Sequence, residues 1–107
     1  MDLAKLQDSA RRASTLLKAM SNEHRLMILC QLLGGEKSVG ELERVVGLSQ
    51  SALSQHLARL RRDRLVQTRR QAQTIFYSLA GREAIAVIET LHGLYCHTAE
   101  DDACAAE

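Results

Sequence analysis

The sequence predicts a small, mainly α-helical fold carrying one β-hairpin, and three observations point there. Apolar residues step by three and four at both ends of the chain and around Leu53, whereas the stretch around residue 70 alternates. Ser, Gly and Glu fall at helix starts and stops between these stretches. There is no Pro and no Trp, and the aromatics are only Phe76, Tyr77 and Tyr95, which suits helices packed through Leu, Ile, Val and Ala. The length of 107 residues allows one domain, and a domain this small leaves much surface exposed unless a partner covers it. An oligomer is therefore expected.

Leu3, Leu6, Ala10, Ala13, Leu17 and Met20 make residues 2–20 an amphipathic helix with a single stripe. Ser21 is the expected cap of a second helix over residues 22–33, closed by Gly34 and Gly35. Its run Leu26, Met27, Ile28, Leu29 and Cys30 calls for burial on several sides. Ser38 and Glu41 form a capping box for a short third helix ending near Val46, with Gly47 as its stop. Ser49 caps a fourth helix running to about Arg62.

Residues 65–70 and 73–79 alternate like two strands, with Leu65, Ile75, Tyr77 and Leu79 inward, although no Asn-Gly turn joins them. A last helix is expected from near Gly81 to about His97. Ile85, Ile88, Leu91 and Tyr95 form one face and Ala84, Val87 and Leu94 a second. One face serves its own core and the other calls for a partner. Residues 98–107 are small and acidic, an expected disordered tail behind a single domain over residues 1–97.

Helix, turn, helix and hairpin is the order of a winged helix-turn-helix. The charge is distributed accordingly. Between residues 44 and 70 seven arginines face Asp63 alone, a net charge of +6, while the remainder, with seven basic and twelve acidic residues, carries −5. Such a segment suits a polyanion, and a dimer presents it twice. On the fourth helix Leu53, Leu57 and Leu60 can anchor one face and turn Gln50, Ser51, Ser54, Gln55 and Arg59 outward. Ser49, Gln50, Ser51, Ser54 and Gln55 are candidates for base edges in the major groove, and Arg59 and Arg62 for phosphates. Arg69 and Arg70 at the wing tip are candidates for the flanking backbone or a minor groove. His56, between Gln55 and Leu57, suits a structural hydrogen bond better than a base contact.

The stretches Ala19-Met20-Ser21-Asn22-Glu23-His24-Arg25-Leu26-Met27-Ile28-Leu29, Leu48-Ser49-Gln50-Ser51-Ala52-Leu53-Ser54-Gln55-His56-Leu57 and Ile75-Phe76-Tyr77 resemble the ArsR family of small winged-helix repressors, over about residues 16–96. The resemblance implies a homodimer joined by its first and last helices, bound to a palindromic double-stranded operator until an inducer weakens the grip.

Many members of that family sense metals. Here Lys37-Ser38-Val39-Gly40-Glu41 offers no Cys or His at the start of the third helix, and Glu89, His92 and His97 on the last helix lack a metal-site spacing. Cys30 and Cys96 instead resemble the cysteine pair of the family's persulfide- and redox-sensing dithiol subgroup. That implies a persulfide or polysulfide inducer and a disulfide or polysulfide bridge between the two positions, lowering operator affinity. Three cysteines without a CxxC pair are expected to rest as thiols in a reducing compartment.

Other readings stay open. Cys30 can be a small core residue. Cys30, His92 and Cys96 can hold zinc, making a metal-responsive repressor. Cys104 can be incidental or exchange thiols with Cys96. A thiol or sulfur-transfer enzyme using Cys96 near His92 has little to support it, because no orienting network, phosphate-binding glycine loop or CxxC accompanies it. No catalytic activity and no cofactor are expected. No apolar run reaches the roughly 18 residues of a membrane span, and the first twenty residues mix charge with Leu, so a cytoplasmic protein without membrane contact is expected.

Overall fold

The computed structural model describes residues 2–95. In chain order these form α1 (Leu3–Met20), α2 (Glu23–Leu33), β1 (Lys37–Ser38), α3 (Val39–Val46), α4 (Gln50–Arg62), β2 (Val66–Gln71), β3 (Thr74–Leu79) and α5 (Arg82–Tyr95). Cys96, His97, the tail at 98–107 and Cys104 lie outside the described residues.

Local chemistry sets most boundaries. Asp2 caps α1 by accepting from the Ala4 N–H at 3.3 Å. Asn22, rather than the expected Ser21, caps α2: its Oδ1 accepts from the amides of His24 at 2.9 Å and Arg25 at 3.1 Å. Ser21 instead ends α1, its N–H donating to the Lys18 carbonyl. Both halves of the capping box on α3 form, with the Ser38 amide donating to Glu41 at 2.8 Å and the Glu41 amide to Ser38 Oγ at 3.2 Å. Gly47, at φ 75°, closes α3 in the left-handed region.

Arg64 does the same work after α4 without being glycine. It sits at φ 63°, its amide donates to the Arg61 carbonyl at 3.0 Å, and the Leu65 amide reaches back to Leu60 at 2.9 Å. This is a Schellman closure, and the buried side chains of Leu60 and Leu65 accompany it.

The hairpin belongs to a three-stranded antiparallel sheet of order β1-β3-β2. β1 is absent from the sequence expectation because two residues carry no readable alternation. Lys37 pairs with Tyr77 and Ser38 with Phe76, while Arg69 lies opposite Phe76 and Arg70 opposite Ile75. Ala72 and Gln73 make the turn, with Ala72 at φ 55° in place of the usual Gly or Asn.

The core joins Ile28, Leu29 and Leu32 of α2, Leu42 and Val46 of α3, and Leu53, Leu57 and Leu60 of α4. Leu65 and Val66 at the wing base, and Ala84 and Ile88 of α5, complete it. α1 contributes only Ala19 and Met20 as fully buried residues, while Leu3, Leu6 and Leu17 stay 66%, 50% and 54% exposed. Arg25, buried on α2, fastens that end of α1 by donating from Nε to the Ala19 carbonyl at 2.6 Å.

An L-residue in the left-handed region costs about 1 kcal/mol or more, and glycine relieves it at some expense in unfolded-chain entropy. Arg64→Gly is therefore predicted to raise the Tm by roughly 2–4 °C in thermal unfolding. A lowered Tm would show instead that the Arg64 side chain holds its surroundings together.

Candidate nucleic-acid interface

The geometry of α4 follows from its leucines. Leu53, Leu57 and Leu60 are 0%, 2% and 0% exposed, so the helix is held by that ridge and its opposite face is turned to solvent. Ser51, Gln55 and Arg62 lie on the outward face and Gln50 in the first turn, all exposed. Ser54 lies on the flank beside the wing, and Arg59 on the flank beside α2. Ser49 is the N-cap, its Oγ accepting from the Ala52 amide at 3.2 Å.

The cations are deployed unevenly. Arg59 and Arg62 share Asp63, each at 3.5 Å from its Nε. These contacts are long, and Arg59 Nε makes no hydrogen bond. Asp63 is only 23% exposed and Arg59 41%, so that pair is partly buried, whereas Arg62, 69% exposed, makes the kind of surface contact that is worth little and exchanges readily for a phosphate. Arg69 is held more firmly. It forks onto Glu36 at 2.9 and 2.6 Å, donates to Gln71 at 2.9 Å and lies 4.6 Å over the Phe76 ring. It thus fastens β2 to the segment before β1 instead of extending from the wing tip. Arg70 faces the other side of the strand, exposed and without an ion pair among the described residues.

Arg64 is turned away from this region, lining a groove with Ser9 and Arg12 of α1 and Glu83 of α5. The +6 segment is therefore not presented on one surface. Arg44 and Arg61, named by the sequence only as part of the charge run, are exposed and carry no ion pair among the described residues. A helical wheel places Arg61 beside the leucine ridge, which is the signal that identifies it as a flank residue.

His56 is half-buried, and its ring stands 5.8 Å from that of His24 across α2 and α4. This ring contact takes the place of the expected hydrogen bond. Burial, then the charges of Arg25 and His24, push the His56 pKa below its ordinary value and favour the neutral ring.

Cys30 is half-buried on α2 and packs against the core, and α2 in turn packs against α5. Cys96 follows Tyr95 directly in the chain, outside the described residues. Glu89 and His92 are exposed on α5, and among the described residues no three His, Cys, Asp or Glu side chains come together to hold a metal. Also among them, no helix is long and apolar enough to cross a membrane.

Two helices at the centre of a helix-turn-helix, an outward polar face on the second and a pinned hairpin beside it define a winged helix-turn-helix transcription regulator. Comparison with known proteins places it further. Residues 22–68 match the family described as "Bacterial regulatory protein, arsR family". Transcriptional activator HlyU of Vibrio cholerae serotype O1 is 59% identical over 96 residues, covering 90% of this chain and 89% of that protein. HTH-type transcriptional regulator YgaV of Escherichia coli K12 is 52% identical over 96 residues, covering 89% and 97%. The crystal structure of the transcriptional repressor BigR from Xylella fastidiosa, 40% identical, superposes with a TM-score of 0.81 over 90% of this chain and 98% of that one. The chain belongs to the ArsR family of bacterial transcription regulators, which are not enzymes.

The hydrogen bonds from Arg69 hold the Glu36 carboxyl below its ordinary value of 4.5. A depressed carboxyl stabilises the fold above that ordinary value, and the contribution is lost as pH falls through the folded-state value. Glu36→Gln is predicted to lower the Tm at neutral pH, with the gap to the parent protein closing on acidification below 4.5. A gap independent of pH in the same melting series would mean that the Arg69 latch adds no stability through its charge.

Proposed function

We propose that the chain is a homodimeric DNA-binding repressor whose hold on a palindromic operator is released when persulfides join Cys30 to Cys96. The observation that carries the DNA role is the leucine-anchored α4, which presents Gln50, Ser51, Ser54 and Gln55 with Arg59 and Arg62 beside them. Ser49 starts that helix, Arg70 extends the contact along the wing, and Arg69 keeps the wing in place. The dimer is supported by the apolar surface left on α1 at Leu3, Leu6 and Leu17, and on α5 at Leu94 and Tyr95. Two copies joined there can offer two α4 helices to successive major grooves, about 34 Å apart. Relatives are described both as an activator, HlyU, and as a repressor, BigR, and the repressor reading follows the second.

The sensing role is supported by Cys30 on a helix packed against α5, whose described end is the residue before Cys96. One related structure is described as reduced HlyU from Vibrio cholerae N16961, 60% identical with a TM-score of 0.85, so the redox state was noted for that protein. In the proposed step one thiolate attacks the outer sulfur of an organic persulfide, forming a protein persulfide and releasing the organic thiol. The second thiolate attacks the inner sulfur of that protein persulfide and expels hydrogen sulfide, leaving a disulfide. The dithiol is oxidised by two electrons and the sulfane sulfur is reduced. Further rounds of transfer before closure give a polysulfide, which spans a wider gap.

Release requires the bridged protein to favour a dimer in which the α4 helices no longer match the grooves. Treating the reduced protein with glutathione persulfide is predicted to give an intramolecular bridge by intact mass and to weaken operator binding by roughly 5- to 150-fold in fluorescence anisotropy. Cys30→Ser and Cys96→Ser should each keep their grip after treatment. If the doubly substituted protein still lets go of DNA, the dithiol mechanism is wrong while the repressor reading survives.

A further inference from the structure

A helix with its side chains is about 10–12 Å across, and the major groove of B-DNA is about 12 Å wide. A helix lying in that groove therefore has a phosphate ridge along each flank. On α4 the leucines form the back and Ser51, Gln55 and Arg62 the front, which leaves Arg59 on one flank and Ser54 with Arg61 on the other.

The two flanks are built differently. Beside Arg59 the charge is answered by Asp63, and the space is filled by His56 packed on His24. On the other side an open groove of about 480 Å³ separates α4 from the start of α3 and from β3. Ser54, Arg61, Tyr77 and, from the front of α4, Arg62 line it above an apolar floor that includes Val39 and Leu57; Arg62 is paired with Asp63. Arg61 is exposed and has no ion pair or hydrogen bond among the described residues. Asp63, two residues further on, is already engaged by Arg59 and Arg62. An uncommitted guanidinium beside two hydroxyl-bearing side chains that line an open groove is a donor set for a phosphodiester oxygen.

We propose that this groove seats a backbone phosphate of the DNA duplex, with Arg61 as its principal ligand and the hydroxyls of Ser54 and Tyr77 as further donors. The inference rests on the DNA-binding role proposed above and deepens it. Arg61 becomes the wing-side anchor, and Ser54 serves the backbone instead of a base edge. A phosphate carries no sequence, so Arg61 adds affinity without choosing the operator. The competing role for Arg61 is to answer the negative end of the α4 dipole, which changes stability and leaves the count of released counterions alone.

The test is an anisotropy titration of the full chain at several salt concentrations, on a random-sequence duplex and on a duplex selected in vitro for tight binding. Arg61→Gln is expected to weaken both by a similar factor, and to lower the slope of log affinity against log salt by about 0.9 per protomer. Arg61→Lys should restore the slope, and Gln55→Ala should weaken the selected duplex alone with its slope intact. An unchanged slope for Arg61→Gln, with or without a shift in Tm, overturns the phosphate site and leaves the DNA reading standing. If selection yields no binding duplex and the parent protein does not bind the random-sequence one, the DNA reading itself fails.

Discussion

Burial of the ridge Leu53, Leu57 and Leu60 is the constraint on which the rest depends. A helix has only one back. Once three leucines commit it to the core formed with α2 and α3, the opposite residues must face solvent, whatever else the chain does. The Schellman closure extends the ridge by one residue, because Leu65 returns beside Leu60 and sends the chain into the wing. The position of the wing relative to α4 is thus set by the same packing that orients α4.

Charge is then divided between holding the fold and leaving it free to bind. Arg25 works entirely inward, closing the end of α1 against α2. Arg69 is engaged by Glu36 and Phe76 and ties the hairpin to the segment before β1. Arg59 and Arg62 are half-committed to one aspartate, while Arg44, Arg61 and Arg70 have no ion pair among the described residues. A polyanion meets the last group at little cost, since no existing contact must be broken. The net charge of +6 in the sequence therefore overstates what the surface offers to DNA.

The helices were legible because their signals are local. Ser38 with Glu41, Gly47 and Ser49 each act within a few residues, and the leucine spacing of α4 reports its buried face directly. Asn22 and Ser21 are both good caps, and the choice between them depends on where α1 stops, which Arg25 helps to decide. β1 needed the pairing with β3 to be seen at all. Arg69 was placed at the wing tip by its position in the sequence, but its partner Glu36 is 33 residues away, and no spacing rule connects them. Asp63, four residues after Arg59, was a readable signal of neutralisation that the charge count alone concealed. The groove holding Arg61 arises only when α4, α3 and β3 come together.

In the proposed function α4 and the wing act together as the DNA surface while the terminal helices serve another purpose. Amide chemical-shift mapping of the reduced protein, titrated with a selected duplex, separates these two surfaces. The largest changes are expected on residues 50–62 and 66–79, with the exposed stripe of α1 little altered. Changes concentrated on α1 and α5, with α4 unmoved, would contradict that proposal.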